Sequence, residues 1–198
     1  VLTLLTKSST IKIKQINLNP TRTGIIVILK KMNAQIKLMN IKTICGEKVG
    51  DIVVKSSNLK SINCPSSLVP FTIDDLSILM ISAAKAKGTS TFSGLSELNK
   101  KESPRLNIMN TVLNQIGIKT KLKKEKIKIF GNPKINLNKS YEINTHFDHR
   151  ICMSAFVMCQ IFGGHIRIKD CNSIATSFPN FLNLMKQIGA KYEIKKQY

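Results

Sequence analysis

Charged side chains concentrate at three points in the sequence, each at the predicted start of a helix. The clusters are Asp74-Asp75, Lys101-Glu102-Ser103-Pro104-Arg105 and Asp148-His149-Arg150. A helix N-terminus presents free backbone N–H groups and the positive end of the helix dipole, so lysine and arginine placed there add to a binding site for phosphate or carboxylate. The neighbouring acids could transfer protons. If the three helix starts lie on one rim, two arginines, one lysine and several carboxylates would face one cleft.

Each cluster also has a purely structural interpretation. An aspartate before an apolar helix is a good N-cap, which would account for Asp74 and for Asp148. Ser103 followed by Pro104 fits an N-cap followed by a first-turn proline. The surrounding charges would then form a solvated face, and a histidine beside a cap, such as His149, is more often structural than catalytic. The spacing alone leaves both interpretations open.

The elements that must position these clusters follow a threefold repeat of strand, polar loop, helix and a break into a new strand. The strand and loop segments are Ser9–Lys14, Thr89–Gly94 and Gly164–Lys169, and the helix exits are Leu29–Ile36, Leu113–Thr120 and Met185–Tyr192. Each exit places Gly or Asn where a helix C-terminus favours a left-handed residue. The repeat predicts an α/β domain.

Two kinds of helix are predicted within the repeat. Asp74–Lys87 and Asp148–Phe162 are apolar nearly all round and should be interior, whereas the first copy retains only Val1–Leu5 at this position. We therefore expect the first helix, and with it the protein, to be incomplete in this chain. The second kind is amphipathic, with one apolar face each: Leu106, Met109, Val112, Leu113 and Ile116, and Phe178, Phe181, Leu182, Met185 and Ile188. Further strands are predicted at Asp51–Lys55 and Lys126–Phe130, and loops at Asn63–Pro70 and Asn132–Tyr141.

Length and composition predict one globular domain in a reducing compartment. The 198 residues are 42% hydrophobic, enough for a core, and the longest apolar stretch, Ile151–Phe162, is too short to span a membrane. The five cysteines form no Cys-x-x-Cys pair, so neither a disulfide framework nor a zinc site is indicated. Cys152 and Cys159 are interpreted as packing residues. We expect a cytoplasmic protein without a membrane partner.

The formal charge of +20 could indicate a nucleic-acid partner. Most of the excess is lysine distributed over nearly every segment, with no arginine stripe and no tryptophan. That distribution favours a general cationic field that attracts small anionic substrates, and no nucleic-acid partner is expected.

Six motifs, in order along the chain, resemble the C-terminal half of the 5-enolpyruvylshikimate-3-phosphate (EPSP) synthase family, and especially its glyphosate-tolerant bacterial branch. The motif segments are Asn19–Gly24, Val54–Lys60, Ile73-Asp74, Lys101–Leu106, Phe147–Ile151 and Ala175–Pro179. The resemblance implies an inside-out α/β barrel domain built from three βαβαββ units, the first truncated here. Residues 1–198 would form most of one domain of a two-domain enzyme whose active site lies between the domains. The opposite domain, the N-terminal half, would be absent from this chain.

The reaction implied by the resemblance is 3-phosphoshikimate 1-carboxyvinyl transfer. The enolpyruvyl group of phosphoenolpyruvate passes to the 5-hydroxyl of shikimate 3-phosphate with release of phosphate, on the shikimate pathway to chorismate and aromatic amino acids, without cofactor or metal. By position, Asp74 resembles the base and Lys101 the cation beside the shikimate phosphate, while Glu102 resembles the acid at the methylene carbon. The resemblance makes Arg105 and Arg150 the phosphoenolpyruvate clamp. Asp148 and His149 are predicted to be supporting residues that orient Arg150.

Two positions depart from the family pattern Arg-Val-Lys-Glu-Ser-Asp-Arg. Asn99 stands for its first arginine and Pro104 for its aspartate, so one cation and one carboxylate are missing. The chain alone is expected to be inactive.

Three alternatives remain open. A UDP-N-acetylglucosamine enolpyruvyl transferase-like domain would share the fold and an aspartate base, but it typically has Leu where this chain has His149 and lacks the Lys-Glu-Ser-x-Arg run. A basic RNA-processing or RNA-binding repeat domain would explain the charge but not the paired acid and arginine motifs. A remnant without activity is the third.

Overall fold

The computed structural model describes residues 1–195, and the positions of its elements follow the predicted repeat. Within that range the α-helices are α1 (Leu2–Leu5), α2 (Gly24–Lys31), α3 (Leu76–Lys85), α4 (Arg105–Gln115), α5 (His149–Phe162) and α6 (Phe181–Gln187). The strands are β1 (Thr10–Asn17), β2 (Gln35–Ile44), β3 (Glu47–Lys55), β4 (Asn63–Cys64), β5 (Gly88–Phe92), β6 (Thr120–Lys123), β7 (Lys126–Gly131), β8 (Ser140–Ile143) and β9 (His165–Ile168). Short 3-10 segments connect several of them.

The sheet topology shows the repeat directly. The three sheets have the orders β1-β3-β2, β4-β5-β7-β6 and β8-β9. Strands β4 and β5 are parallel, as are β8 and β9, and the remaining neighbours are antiparallel. The first sheet therefore matches β5-β7-β6, and the third matches β4-β5. Within residues 1–195, only the middle copy has all its strands.

The helices lie inside and the sheets outside, as the sequence predicts. Most of α3 is inaccessible to solvent, and Ile151, Cys152 and Met158 of α5 are fully buried. The sheets pack inward through apolar side chains such as Ile127 and Ile129 of β7, while Lys128 between them is exposed. This alternation is the period of two expected for a strand with one buried face.

Helix ends follow the predicted left-handed positions. Asn33, Gly117 and Gly189, one at each helix exit, have φ of 71°, 86° and 93°. The apolar face predicted for α4 is buried along its whole length, from Leu106 to Ile116. The corresponding apolar face predicted around α6 is only partly covered. Phe181, which begins the helix, is buried, whereas Phe178 before the helix and Ile188 just after it are exposed.

Local predictions fail where strand formation depends on a partner. No strand follows Gly189 within residues 190–195; there the backbone N–H of Lys191 donates to Oε1 of Gln160 (3.1 Å) instead of a neighbouring strand. The predicted loop Asn63–Pro70 contains β4, which pairs with β5, and β8 begins inside the predicted loop Asn132–Tyr141. Among residues 1–195 there is also no helix with the length and apolar character needed to cross a membrane.

Candidate active site at three helix starts

The structure brings the three charged clusters together around one buried side chain, Arg105. Only 1% of this side chain is exposed, and its Nε donates to Oδ2 of Asp148 at 2.7 Å. One terminal nitrogen lies 3.4 Å from Oδ1 of Asp74, and the other forms an ion pair with Glu102. A buried guanidinium must be paired because an isolated charge is costly to remove from water. Three carboxylates from three chain segments supply that pairing.

Asp148 joins α5 to the start of α4. Its Oδ1 caps α5 by accepting hydrogen bonds from the backbone N–H groups of Arg150 (2.9 Å) and Ile151 (3.3 Å). Its Oδ2 accepts from the Ser103 hydroxyl (2.8 Å) and from Arg105. Complete burial alone would raise the pKa of Asp148, but the hydrogen bonds from Arg105 and Ser103 outweigh it and lower the pKa. Asp148 is therefore a charged, fully bonded anchor.

Asp74 contacts cations and does not cap a helix. It lies in a 3-10 turn, Ile73–Asp75, that precedes α3, and the N-cap position belongs to Asp75, which makes no side-chain cap hydrogen bond. The carboxylate of Asp74 lies 3.7 Å from Lys101 Nζ and 3.6 Å from a terminal nitrogen of Arg150. Arg105 and Arg150 thus converge on the same carboxylate, with Arg105 near Oδ1 of Asp74 and Arg150 near Oδ2. The capping interpretation of Asp74 is wrong because the extra 3-10 turn directs its side chain toward the other two helix starts.

Arg150 is the more accessible of the two arginines, with 32% of its side chain exposed. One of its terminal nitrogens donates to the backbone carbonyl of Asp74 at 2.8 Å and lies 3.8 Å from Oδ1 of Asp75. The carboxylate of Asp148 bonds only the backbone of Arg150, so this acid orients Arg105 and not the Arg150 guanidinium. His149, the first residue of α5, is half-buried and makes no side-chain hydrogen bond to the described part of the chain.

Sequence reasoning placed Asp75 in a charged cluster without giving it a role, and it did not consider the charge of Arg22. The pKa of Asp75 is raised, mainly by burial. The negative charge of Asp74 also raises it, whereas the positive charges of Arg150 and Arg22 lower it. Arg22 is exposed and lies just before α2, the first-copy counterpart of α4. The signal was present, because Arg22 lies inside one of the six motifs.

Pro104 and Asn99, the two departures from the family pattern, both take part in the start of α4. Helix α4 begins at Arg105 with Pro104 at its N-cap, so the prediction that Ser103 caps this helix is wrong; its hydroxyl donates to Asp148 instead. The side chain of Asn99 satisfies a free N–H group in the first turn of α4. Its Oδ1 accepts from the backbone N–H of Asn107 at 3.2 Å, and its amide group donates to Oδ1 of Asn107. In residues 1–195 no cluster of three or more His, Cys, Asp or Glu side chains could hold a metal ion.

Comparison with known proteins identifies a family that matches most of this chain. The family model described as EPSP synthase (3-phosphoshikimate 1-carboxyvinyltransferase) matches residues 1–185. Curated 3-phosphoshikimate 1-carboxyvinyltransferases of Zymomonas mobilis and Petrotoga mobilis are each 40% identical to this chain, over 96% and 95% of it respectively. The chain spans 43% of the length of each of these relatives.

Solved structures show the same fold. An EPSP synthase from Acinetobacter baumannii superposes on 98% of this chain, which covers 45% of that protein, with a TM-score of 0.93 at 35% identity. The enolpyruvyl transferase NikO from Streptomyces tendae superposes on 96% of the chain, covering 41% of NikO, with a TM-score of 0.68 at 13% identity, which shows a shared fold alone. The predicted enolpyruvyl transferase-like α/β fold is confirmed. Because the family model extends over nearly the whole chain, the chain belongs to the EPSP synthase family.

Proposed function

We propose that this chain supplies one side of the active site of a 3-phosphoshikimate 1-carboxyvinyltransferase. The main support for this proposal is the cluster in which Asp74 pairs with Lys101, Arg105 and Arg150. Since the chain spans less than half the length of its relatives, the remaining substrate contacts would come from the part of a complete enzyme that this chain does not match. Residues 1–198 would then form most of one domain of two, working in the cytoplasm.

Asp74 is the proposed base for the 5-hydroxyl of shikimate 3-phosphate. Its carboxylate is 30% exposed, so a substrate hydroxyl can reach it, and two arginines fix its orientation. A base must lie within hydrogen-bond reach of the proton that it removes, and a rigid carboxylate meets that need better than a mobile one. Lys101, 3.7 Å from Asp74, would stabilise the alkoxide that forms and contact the shikimate phosphate.

Arg105 and Arg150 are the proposed clamp for phosphoenolpyruvate. Their positive charges are balanced by four side chains, Asp74, Asp75, Glu102 and Asp148. An entering carboxylate or phosphate must therefore displace a side-chain carboxylate from these donors. Glu102 is the one most easily displaced, because its side chain is 57% exposed and extends from the segment before α4.

Displacement also explains how Glu102 could act as the acid. Once a substrate oxygen takes its place on Arg105, Glu102 leaves that ion pair and its side chain is free to approach the substrate. A carboxyl group freed beside the reacting enolpyruvyl carbon can protonate its methylene. Asp148 would hold Arg105 throughout, because its own bonds face away from the entering ligand, toward Ser103 and the first turn of α5. His149 would serve as a supporting residue, and the chemistry would need no cofactor.

A chimera tests this proposal. The segment of the Zymomonas mobilis relative that aligns with this chain would be replaced by this chain, and phosphate release would be measured with phosphoenolpyruvate and shikimate 3-phosphate. We expect turnover that depends on both substrates. Glu125→Gln, a carboxylate-to-amide change in the exposed turn between β6 and β7, is the matched control and should leave turnover unchanged.

The same chimera separates the alternatives. Enolpyruvyl transfer to UDP-N-acetylglucosamine in place of shikimate 3-phosphate would replace this proposal with the sister activity. A correctly folded chimera that turns over neither acceptor would favour an inactive remnant. Binding of the chain to RNA with a steep decrease as salt rises would favour the RNA-binding alternative, since phosphate-backbone contacts have that dependence. Membership of the glyphosate-tolerant branch stays a prediction, checked by inhibition of the chimera with glyphosate.

A further inference from the structure

Two thiols lie in contact outside the candidate active site. Sγ of Cys152, in the first turns of α5, donates a hydrogen bond to Sγ of Cys171 at 2.9 Å. Cys171 begins a 3-10 segment, Cys171–Thr176, that follows β9. Both cysteines are in the thiol form in this structure. Cysteine spacing gave no sign of this pair, because the contact depends on how β9 packs beside α5.

The two thiols differ in access and in charge preference. Cys152 is fully buried within a small apolar cluster that contains Phe156, Ile174 and Phe181, whereas Cys171 is half-buried at its edge. The hydrogen bond from Cys152 lowers the pKa of the Cys171 thiol, although burial and the carboxylate of Asp170 oppose that effect. The same contact raises the pKa of Cys152. Reactive cysteines are those that combine thiolate character with access to solvent, and Cys171 fits that description.

We propose that Cys171 and Cys152 form a peroxide-responsive disulfide, with Cys171 as the reacting thiol and Cys152 as the resolving thiol. The Cys171 thiolate attacks one oxygen of hydrogen peroxide, which breaks the O–O bond and yields a sulfenic acid and, after proton uptake, water. Cys152 then attacks the sulfenic sulfur, an S–S bond forms and a second water leaves. One peroxide is reduced to two waters as the two thiols lose two hydrogens.

The geometry favours this disulfide over competing products. The sulfurs need to approach from 2.9 Å to a bonded distance of about 2.05 Å, a shift that the first turn of a helix and a 3-10 segment can absorb. A sulfenic acid with a resolving thiol already in contact is converted to a disulfide before a second peroxide arrives. The bond would tie the 3-10 segment to the turn of α5 that carries Asp148, because the backbone N–H of Cys152 donates to the Asp148 carbonyl.

The test is peroxide titration of the reduced, purified chain. After each dose the protein is quenched in acid, unfolded, alkylated and digested, and the state of every cysteine is read by mass spectrometry. We expect a peptide pair linked through Cys152 and Cys171, lighter by two hydrogens than the reduced pair and reversed by dithiothreitol. Cys45, which is exposed in the turn between β2 and β3, is the internal control and should oxidise without forming this link.

Two variants assign the roles. In Cys171→Ser, the buried Cys152 should stay reduced at doses that oxidise the wild type. In Cys152→Ala, Cys171 should proceed to the sulfinic acid, because the resolving thiol is absent. Oxidation of Cys45 while Cys152 and Cys171 remain free would overturn the proposal, as would a link from either thiol to Cys64 or Cys159. The wild-type measurement decides the matter even if one of the variants folds poorly.

Discussion

Two acids in the cluster, Asp148 and Asp74, differ in burial and therefore in what they contribute. Asp148 and Arg105 are both almost completely inaccessible to solvent, so breaking their ion pair would destabilise the folded state. The side chain of Asp74 is about one-third exposed, so water screens the charges in its ion pairs. Substitution of Asp148 should therefore affect stability, and substitution of Asp74 should affect chemistry.

Asp74→Asn in the chimera should reduce turnover by roughly two to four orders of magnitude, the usual contribution of a positioned acid or base. The amide cannot accept the hydroxyl proton at neutral pH. The melting temperature should change little, because partly exposed ion pairs stabilise a fold weakly. Steady-state kinetics and a thermal melt measure the two effects, with Glu125→Gln as the control. Turnover retained by a folded Asp74→Asn chimera would move the base to another residue of the cluster, with Asp75 the first to examine.

Asp148→Asn should lower the free energy of unfolding by about 3 kcal/mol at neutral pH, the low end for breaking a buried ion pair. Asparagine caps a helix as well as aspartate does, so the loss would come from removing the one fully buried carboxylate that pairs with Arg105 and not from the cap of α5. Urea titration of the chain measures the change, and Glu125→Gln should be indistinguishable from the wild type. An equally stable Asp148→Asn variant would mean that Glu102 and Asp74 suffice for Arg105.

The pH dependence of this difference has a definite sign. The folded-state pKa of Asp148 is lowered, so its contribution to stability is present above the unfolded value, about 3.9, and is lost as the pH falls through the folded value. The stability gap between the wild type and Asp148→Asn should stay constant from neutral pH to about pH 5 and shrink below about pH 3.9. Urea titrations at a series of pH values check this, and a gap that grew on acidification would contradict the assignment.

At the scale of elements, the sequence was informative wherever local chemistry decides the conformation. The left-handed residues Asn33, Gly117 and Gly189, the buried helices α3 and α5, and the apolar face of α4 could all be predicted. Each of these depends on φ preferences or on the apolar period of a helix, which a short window of sequence contains.

The rest depended on tertiary contacts. Asp74 and Ser103 have good N-cap sequences, yet both side chains face partners on other segments. Strand β4 is two residues long and exists only because β5 lies beside it, and no strand forms after Gly189, where no partner is present among the described residues. The candidate site could be predicted as a set of residues from the motifs, but the pairing of Asp148 with Arg105 required the packing of α4 against α5.

One close approach between elements gives a sharp test of the fold. Gly131 ends β7 against the C-terminal end of α3, where an added Cβ would lie 2.1 Å from the Ala86 carbonyl oxygen and 2.6 Å from that of Ala83. Gly131→Ala should destabilise the chain by roughly 2–3 kcal/mol, because backbone atoms must move. Gly46→Ala is the matched control; its Cβ meets nothing within 4 Å, and only its positive φ of 79° should cost about 1 kcal/mol. Urea titration compares them, and equal losses would contradict the close packing of β7 on α3.

At the scale of the whole molecule, the excess positive charge of +20 is distributed over strands, helices and turns, and it includes exposed strand lysines such as Lys12, Lys37 and Lys128. The candidate site itself balances its cations with acids. The excess charge would therefore raise the local concentration of anionic substrates without altering the site, a general field effect.

The isolated chain should bind anions at the cluster but should not turn them over. Catalysis needs both reactants held together, and the chain spans less than half the length of relatives that carry this activity in their names. Phosphate release by the purified chain with both substrates should equal the rate without protein. The intact Zymomonas mobilis relative is the positive control, and a comparable rate from the chain alone would contradict the proposed division of the site.

The completeness of the middle repeat has a consequence for how the molecule opens. Strands β5 and β7 are central in a four-stranded sheet and are covered by buried helices, whereas β8 and β9 form a two-stranded sheet. Local opening is easiest where few strands and little apolar surface secure the backbone. Amide hydrogen exchange should therefore be slowest at Ser90 and Ile129, faster in β8 and β9, and fastest along residues 190–195. Exchange at one uniform rate would instead mean that the three repeats open together in one cooperative step. The amides of the outer repeats would then be as well protected as those of the middle repeat.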